Sequence, residues 1–288
     1  MKENTAKPVE LIAADGLKLI GYHFENETPR AAILICCATA VRQKFYFPFA
    51  RWLCKEGYSV LTLDYRGLGE SLDAPSMKES KARKQDWGEL DMPAAAAWLK
   101  KRYPNIPLHL IGHSAGGLLF GLMPNFDVLT SIVSIGCSTG YVHKIAMPDR
   151  LVAASLLSVY FPFAVNVFGY LPAKKLGWGE DLPRGVAMQW AQWCSNPGYV
   201  SNAFGGDIKE HHYNEVSAPM VVLNMTDDKI ASKENVEALR QLFPNTKMEA
   251  FWFAPKDYKL GEVGHMGFFR QANSALWTNV TDWLQKFS

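Results

Sequence analysis

Apolar residues along the chain alternate between short strand patterns and longer helical patterns. The segments "VELIAA" and "LKLIGYHF" flank a turn at Asp15-Gly16 and predict a β-hairpin. Continuous apolar runs then predict strands buried on both faces, at "AAILICC", "SVLTLDY", "LHLI" and "LTSIVSIGCS". Helical patterns separate these runs, at "FYFPFARWLCKEG" and over residues 86–103. This alternation predicts an α/β fold with a mostly parallel central sheet and helices on both faces.

The alternation stops between residues 140 and 216, where aromatic residues are frequent and no clear strand pattern occurs. It resumes with the strands "APMVVLNMTDD" and "MEAFWFA" and the helices "KENVEALRQLF" and "NSALWTNVTDWLQKF". We therefore expect one core domain made of residues 1–139 and 217–288. Residues 140–216 are predicted to form a helical cap inserted into it.

The uncharged segment at residues 151–173 is long enough to span a bilayer. Pro162, Asn166 and Gly169 interrupt it, however, and basic residues flank both of its ends. We favour apolar cap helices that line a substrate cavity, and we regard a membrane span as the less favoured alternative.

Composition narrows the function classes. The chain has 288 residues, of which 48% are hydrophobic and 20% charged, as is typical of a soluble globular protein. Its net charge of +2 gives no excess of positive charge of the kind that binds nucleic acid. The basic stretch "KESKARK" at residues 78–84 is predicted to be solvated. Five cysteines without C-x-x-C spacing and a polar N-terminus without a signal-peptide core predict a reduced, cytoplasmic protein. No pattern specifies an oligomeric state.

Small residues crowd one serine in "LHLIGHSAGGLLF". The spacing excludes the G-x-G-x-x-G dinucleotide fingerprint, and no Gly-Lys-Ser/Thr follows as a P-loop requires. The pentapeptide Gly112–Gly116 instead matches G-x-S-x-G between a predicted strand and a helix beginning near Ala115. A nucleophile at such a sharp turn requires nearly absent side chains two positions before and after it. Ser114 is therefore predicted to be a nucleophile, and a purely structural turn is the alternative.

A serine nucleophile needs a base and an acid, which we expect in loops after later strands. Asp227-Asp228 follow "APMVVLNMT", and His265 lies between glycines in "EVGHMGFF" after the last strand. The chain order Ser, Asp, His is the order of triad residues in α/β folds that carry the nucleophile on a strand-to-helix turn. His113 is predicted to support the turn around Ser114. The neighbouring His211 and His212 lack a third ligand at metal-binding spacing, so no metal site is expected.

Four motifs, "DYRGLGES", "GHSAGG", "TDDKIAS" and "GHMGFF", together resemble the α/β-hydrolase superfamily, especially its lipase-like and serine-aminopeptidase-like branch with a helical cap. The resemblance implies a Ser114–His265–Asp228 triad, hydrolytic acyl transfer on a small-molecule ester or acyl substrate, and no cofactor. Asp228 stands two residues before apolar Ile230, as the family's acid does. Asp227 is then expected to bond backbone amides of its own turn.

The chain departs from the family where His-Gly usually follows the third strand, because it carries "CCATAVRQKFY" there. Counting along this segment predicts Thr39 as one oxyanion-hole residue, with Ala115 as the other. Two alternatives remain open. An aminopeptidase would need cap acids such as Glu180-Asp181 or Glu210 for a substrate amine, and a non-catalytic binding protein could use the same fold.

Overall fold

The computed structural model describes residues 6–288. One eight-stranded sheet organises this part of the chain, with the strand order β1-β2-β4-β3-β5-β6-β9-β10. Its strands are β1 (Lys7–Ile12), β2 (Lys18–Phe24), β3 (Ala31–Cys36), β4 (Tyr58–Leu63), β5 (Leu108–His113), β6 (Ser131–Ile135), β9 (Met220–Met225) and β10 (Met248–Phe253). A separate pair consists of β7 (Tyr170–Leu171) and β8 (Leu182–Pro183). β2 is antiparallel to both of its neighbours, and the remaining pairs of the large sheet are parallel. The predicted hairpin and the mostly parallel sheet are thus confirmed.

Helices connect the strands. They are α1 (Phe47–Lys55), α2 (Lys84–Asp86), α3 (Met92–Arg102), α4 (Asp149–Ser155), α5 (Phe161–Phe168), α6 (Arg184–Ser195), α7 (Lys233–Leu242) and α8 (Thr278–Leu284). Two π-helical turns, Trp87–Asp91 and Leu156–Tyr160, join α2 to α3 and α4 to α5. The helix predicted over residues 86–103 therefore begins two residues earlier and contains a π-bulge, a feature frequently found at functional sites.

The segment after β5 differs from its prediction. Two short 3₁₀ helices, Ser114–Gly117 and Leu119–Leu122, take the place of the α-helix expected near Ala115. Gly116 and Gly117 explain the difference, because glycine is a poor helix former. The strand-to-helix turn itself is present.

The chain between β6 and β9 contains α4, α5, α6 and the short pair β7/β8, which the sequence pattern did not reveal. α4 and α5 form one helix, Asp149–Phe168, that is long and apolar enough to cross a membrane, yet only 17% of its most apolar window is buried in the structure. Leu151, Val159 and Phe163 are more than half exposed. Phe161, Ala164 and Val165 alone are fully buried in α5. The segment is thus packed less deeply than a core helix, and its place beside a substrate cavity stays a prediction.

The core lies on both sides of the parallel strands, since every residue of β3, β4, β5, β6 and β9 is buried. All five cysteines are free and buried, as the sequence predicts. Burial lowers the pKa of three histidines, which we call the buried histidines: to about 4 for His23, about 4 for His109 and about 3 for His113. These rings are therefore neutral in the folded protein near pH 7.

Candidate active site

The carboxyl ends of the parallel strands meet at one edge of the sheet, and the predicted site residues follow four of those ends. Thr39 follows β3, Ser114 follows β5, Asp228 follows β9, and His265 follows β10. Loops at this edge are where ligands bind in open parallel sheets. The topology thus collects at one edge residues that are far apart in sequence.

The turn at Ser114 has the strained geometry of a nucleophile elbow. Ser114 adopts φ +50°, a left-handed conformation that costs a non-glycine residue about 1–3 kcal/mol. A Cβ atom at Gly112 would lie 2.2 Å from the Cα of Gly117, and one at Gly116 would lie 2.3 Å from the carbonyl oxygen of Cys36. Any larger side chain would therefore push the turn away from β3, which explains the small residues around this hydroxyl.

Asp228 is buried and holds the imidazole of His265. Asp228 Oδ2 accepts a hydrogen bond from His265 Nδ1 at 2.8 Å, while Oδ1 accepts from the backbone N–H groups of Ile230 (2.8 Å) and Ala231 (3.1 Å). Burial raises the pKa of Asp228, but the hydrogen bond and charge of His265 and these two amides outweigh burial, so the pKa lies below its usual value. An ionised Asp228 keeps the proton of His265 on Nδ1 and leaves Nε2 as an acceptor.

Ser114 lies beside this pair without being bonded to it. Ser114 Oγ and His265 Nε2 form no hydrogen bond to each other, as in many apo active sites where this contact forms only with substrate. Contacts of neighbouring residues bring Ser114 close to the pair. The ring of His265 packs against that of His113, the neighbour of Ser114, with centroids 5.4 Å apart. Cys137 Sγ donates to the Ser114 carbonyl oxygen at 2.9 Å, and a Cβ at the adjacent Gly136 would lie 3.4 Å from Asp228 and 3.5 Å from His265.

His113 links the loop of His265 to the loop after β3 through hydrogen bonds. Its Nε2 donates to the carbonyl oxygen of His265 at 2.9 Å, so Nδ1 accepts from the hydroxyl of Tyr46 at 2.8 Å. The Tyr46 oxygen in turn accepts from the backbone N–H of Ala38 at 2.8 Å. Burial, and then the charge of His265, hold the pKa of His113 at about 3. The neutral ring therefore keeps its hydrogen bonds across the working pH range.

Asp227 has a different partner from the one predicted. Its Oδ2 accepts from the backbone N–H of Val263 at 2.8 Å, two residues before His265, rather than from amides of its own turn. The two neighbouring carboxylates thus act on the same loop, because Asp228 holds the ring of His265 and Asp227 holds the backbone that leads to it. In the sequence, Asp228 differs from Asp227 only in standing two residues before apolar Ile230.

The two residues predicted to form the oxyanion hole have backbone N–H groups without protein acceptors in the described part of the chain. Within residues 6–288, the backbone N–H of Thr39 donates to no acceptor, and Ala115 lies at the start of a 3₁₀ helix, where N–H groups lack intrahelical partners. The next residue, Ala40, adopts φ +62°, a second strained non-glycine position. These two amides are the predicted oxyanion donors.

Lys84 approaches the same loop. Its ammonium donates a hydrogen bond to Thr39 Oγ1, and its side chain is completely buried. The predicted solvation of "KESKARK" is therefore wrong at this residue. Sequence reasoning missed Lys84 because its burial depends on Trp190 and Tyr199, more than a hundred residues away.

Two of the three acids considered for holding a substrate amine are already engaged, whereas Glu210 is exposed and forms no ion pair within residues 6–288. Glu180 pairs with Arg42 and with Lys174, each at 2.7 Å, and Asp181 accepts from the backbone N–H of Lys174 at 3.0 Å. The backbone N–H of Glu180 donates to the carbonyl oxygen of Ala40 at 2.8 Å. Glu180 therefore attaches the segment between β7 and β8 to the loop of Thr39.

Other candidate features involve none of the predicted triad residues. A surface cavity of about 340 Å³ is lined by residues that include Thr139, Gly198 and Tyr213, and by none of the predicted site residues. His211 stacks on Phe204, and His212 bonds to Glu215. Across the described residues 6–288, no cluster of three His, Cys, Asp or Glu side chains could hold a metal ion.

Comparison with known proteins agrees with this architecture. Lysophosphatidylserine lipase ABHD12 from Danio rerio is 24% identical over 200 residues, which are 66% of this chain and 41% of that protein. The match thus spans less than half of that relative. The solved structure of an esterase from Pyrococcus furiosus superposes with a TM-score of 0.63 at 19% identity, over 98% of this chain and 91% of that chain. A soluble variant of monoglyceride lipase from Saccharomyces cerevisiae gives 0.64 at 15% identity, over 100% and 98%.

The match to a family model is more extensive. The model described as the alpha/beta hydrolase family aligns with residues 33–275, from β3 to the 3₁₀ helix before α8. This range contains the elbow, both carboxylates and His265. The chain therefore belongs to the alpha/beta hydrolase family and has the fold of its esterases and lipases.

Proposed function

We propose that the protein is a serine hydrolase that cleaves esters through an acyl-enzyme intermediate. One observation carries the proposal: a histidine oriented by a buried carboxylate packs against His113, the chain neighbour of a serine on a strained turn. A serine hydroxyl is a weak nucleophile at neutral pH, and it reacts only when an adjacent base removes its proton. His265 Nε2, left unprotonated by the hydrogen bond from Nδ1 to Asp228, is that base.

The proposed reaction has two halves. His265 takes the Ser114 proton while Oγ attacks the ester carbonyl carbon, and the backbone amides of Ala115 and Thr39 bind the oxyanion. His265 then protonates the leaving alcohol as the carbonyl re-forms. Water, deprotonated by His265, attacks the acyl-enzyme, and Ser114 departs with the proton. Losing one oxyanion donor typically lowers kcat by about 10²–10³.

Charges around the site favour an uncharged ester over a peptide with a free N-terminus. An aminopeptidase needs an unpaired acid for the substrate amine, but the adjacent pair Glu180-Asp181 is already engaged, because Glu180 is paired with Arg42 and Lys174 and Asp181 accepts from a backbone amide; the unpaired Glu210 is exposed. The Lys84 ammonium behind Thr39 would also repel a cationic amine. Both observations support ester cleavage.

A substrate panel tests this proposal. Wild type and Ser114→Ala are assayed with p-nitrophenyl esters from acetate to laurate and with aminoacyl p-nitroanilides. We expect ester turnover by wild type, none above background by Ser114→Ala, and negligible anilide cleavage. Preferential anilide cleavage would indicate a peptidase. Absence of turnover on every substrate would support a binding protein instead.

A further inference from the structure

Lys84 is an unusual residue for its position. It is fully buried, and across residues 6–288 it forms no ion pair with a carboxylate. Its Nζ lies 5.3 Å from the ring centroid of Trp87, 5.0 Å from Trp190 and 6.0 Å from Tyr199. A buried ammonium without a counter-ion is costly, and the aromatic faces offset only part of that cost. Within residues 6–288, Nζ makes one hydrogen bond, to Thr39 Oγ1.

This contact determines what the Thr39 hydroxyl can do. An ammonium group has three donors and no acceptor, so Thr39 Oγ1 must be the acceptor in the bond from Lys84. The hydroxyl hydrogen of Thr39 is then free to donate to another group. Across residues 6–288, Thr39 Oγ1 makes no other hydrogen bond. Its backbone N–H belongs to the proposed oxyanion hole, so a developing oxyanion would lie within reach of the same residue.

From this arrangement, and resting on the proposed serine-hydrolase function, we infer that Lys84 is a positioning residue that makes the Thr39 hydroxyl a third donor to the oxyanion. The ammonium occupies a lone pair of Thr39 Oγ1 and directs its hydrogen away from Nζ. The neutral amine has the opposite effect, because it can accept that hydrogen and withdraw it from the substrate.

The inference predicts a pH dependence with a defined sign. Burial lowers the pKa of Lys84 to about 7, and the facing thiol of Cys194 raises it by less. Burial raises the pKa of Cys194 to about 11 and that of Tyr199 well above its usual value, so both groups are neutral near pH 7. Thr39, Trp87 and Trp190, which also face Nζ, carry no charge. Lys84 is protonated below pH 7, so its contribution is complete there and is lost as the pH rises through about 7.

A double-mutant cycle tests the inference on p-nitrophenyl butyrate. Thr39→Val keeps the backbone N–H and the shape but removes the hydroxyl, and it should lower kcat on the order of 10² with little change in KM. Lys84→Met removes the charge and should lower kcat by less. The double variant should equal Thr39→Val, because Lys84 acts through that hydroxyl. A double variant slower than Thr39→Val would contradict the inference.

The pH profiles provide readouts that a structural role would not move. Wild-type kcat should decline above about pH 7, whereas Lys84→Met should lack this alkaline limb. Thr39→Ser keeps a hydroxyl and should restore both kcat and the limb. Lys81→Met, on the exposed part of the same basic stretch, is the matched control and should behave as wild type.

The inference and the proposed function fail in different ways. If Ser114→Ala is inactive but Thr39→Val matches wild type, the inference is overturned and the serine mechanism stands. If Ser114→Ala remains active, the proposed function itself is wrong. Thermal unfolding of each variant identifies misfolding. If Lys84→Met does not fold, the Thr39→Val and Thr39→Ser profiles still decide the question.

Discussion

Asp227 and Asp228 offer two adjacent carboxylates with different predicted effects on catalysis. We expect Asp228→Asn to lower kcat on the order of 10⁴, because an asparagine amide facing His265 favours the wrong imidazole tautomer. That factor corresponds to about 5.5 kcal/mol of transition-state stabilisation. The structure explains why Asn cannot compensate: the ionised Oδ2 bonds His265 Nδ1 at 2.8 Å while Oδ1 is held by two backbone amides.

Asp227→Asn is the matched control, since it removes the same charge one residue away. The asparagine oxygen can still accept from the Val263 N–H, which Asp227 Oδ2 does at 2.8 Å in the wild type. The new NH₂ group replaces Oδ1, which is buried and bonds to nothing within residues 6–288. We therefore expect kcat within about tenfold of wild type, and any loss of stability to be about 1–3 kcal/mol.

Both variants are assayed with one p-nitrophenyl ester from pH 6 to 9, and their unfolding is followed by circular dichroism. Equal losses in the two variants would show that net charge at the loop matters more than the bond to His265. A crippled Asp227→Asn beside an active Asp228→Asn would refute the reasoning, because it would assign the role of the acid to the wrong carboxylate.

Three further predictions concern the fold around the site. Gly116→Ala should lower the free energy of unfolding, measured by urea denaturation, by about 3 kcal/mol through its clash with β3. Gly261→Ala, with open space around it, is the control and should change that free energy little. Equal stabilities of the two variants would contradict the steric argument. Between pH 6.5 and 4 the buried histidines bind protons in the unfolded chain but not in the folded protein. The free energy of unfolding should therefore fall by about 1.4 kcal/mol per pH unit for each of them as the pH drops through this range. Urea unfolding that is unchanged from pH 7 to 5 would disprove this. The double variant Val159→Gln/Phe163→Gln changes the exposed face of the Asp149–Phe168 helix and should leave kcat/KM for a short ester within about twofold of wild type. A larger loss would indicate that this helix contacts the substrate.

The sequence predicts those features that depend on local sterics and on strand alternation. The parallel strands appear as unbroken apolar runs because they are buried on both faces. The sequence reveals the elbow because its steric requirements are local. A side chain at Gly112 would clash with Gly117, and one at Gly116 would clash with the neighbouring β3. The choice of Asp228 over Asp227 rests on register with Ile230. The bond to His265 agrees with that choice.

The features that the sequence does not reveal depend on distant contacts. Lys84 looks like one more charge in a solvated run, and only packing against Trp190 and Tyr199 makes it a buried neighbour of Thr39. The partner of Asp227 lies 36 residues further along the chain, beyond any local pattern. An apolar helix is expected to be buried, yet only 17% of the most apolar window of Asp149–Phe168 is buried. Periodicity alone cannot distinguish these environments.

The central claim is that Ser114 is the nucleophile, and covalent labelling tests it most directly. Wild type and Ser114→Ala are incubated with a fluorophosphonate, and intact mass and peptide mapping locate the adduct. We expect one adduct per wild-type chain, on Ser114, formed in step with the loss of esterase activity, and none on Ser114→Ala. Labelling at another residue, or an unlabelled wild type that hydrolyses esters, would contradict it.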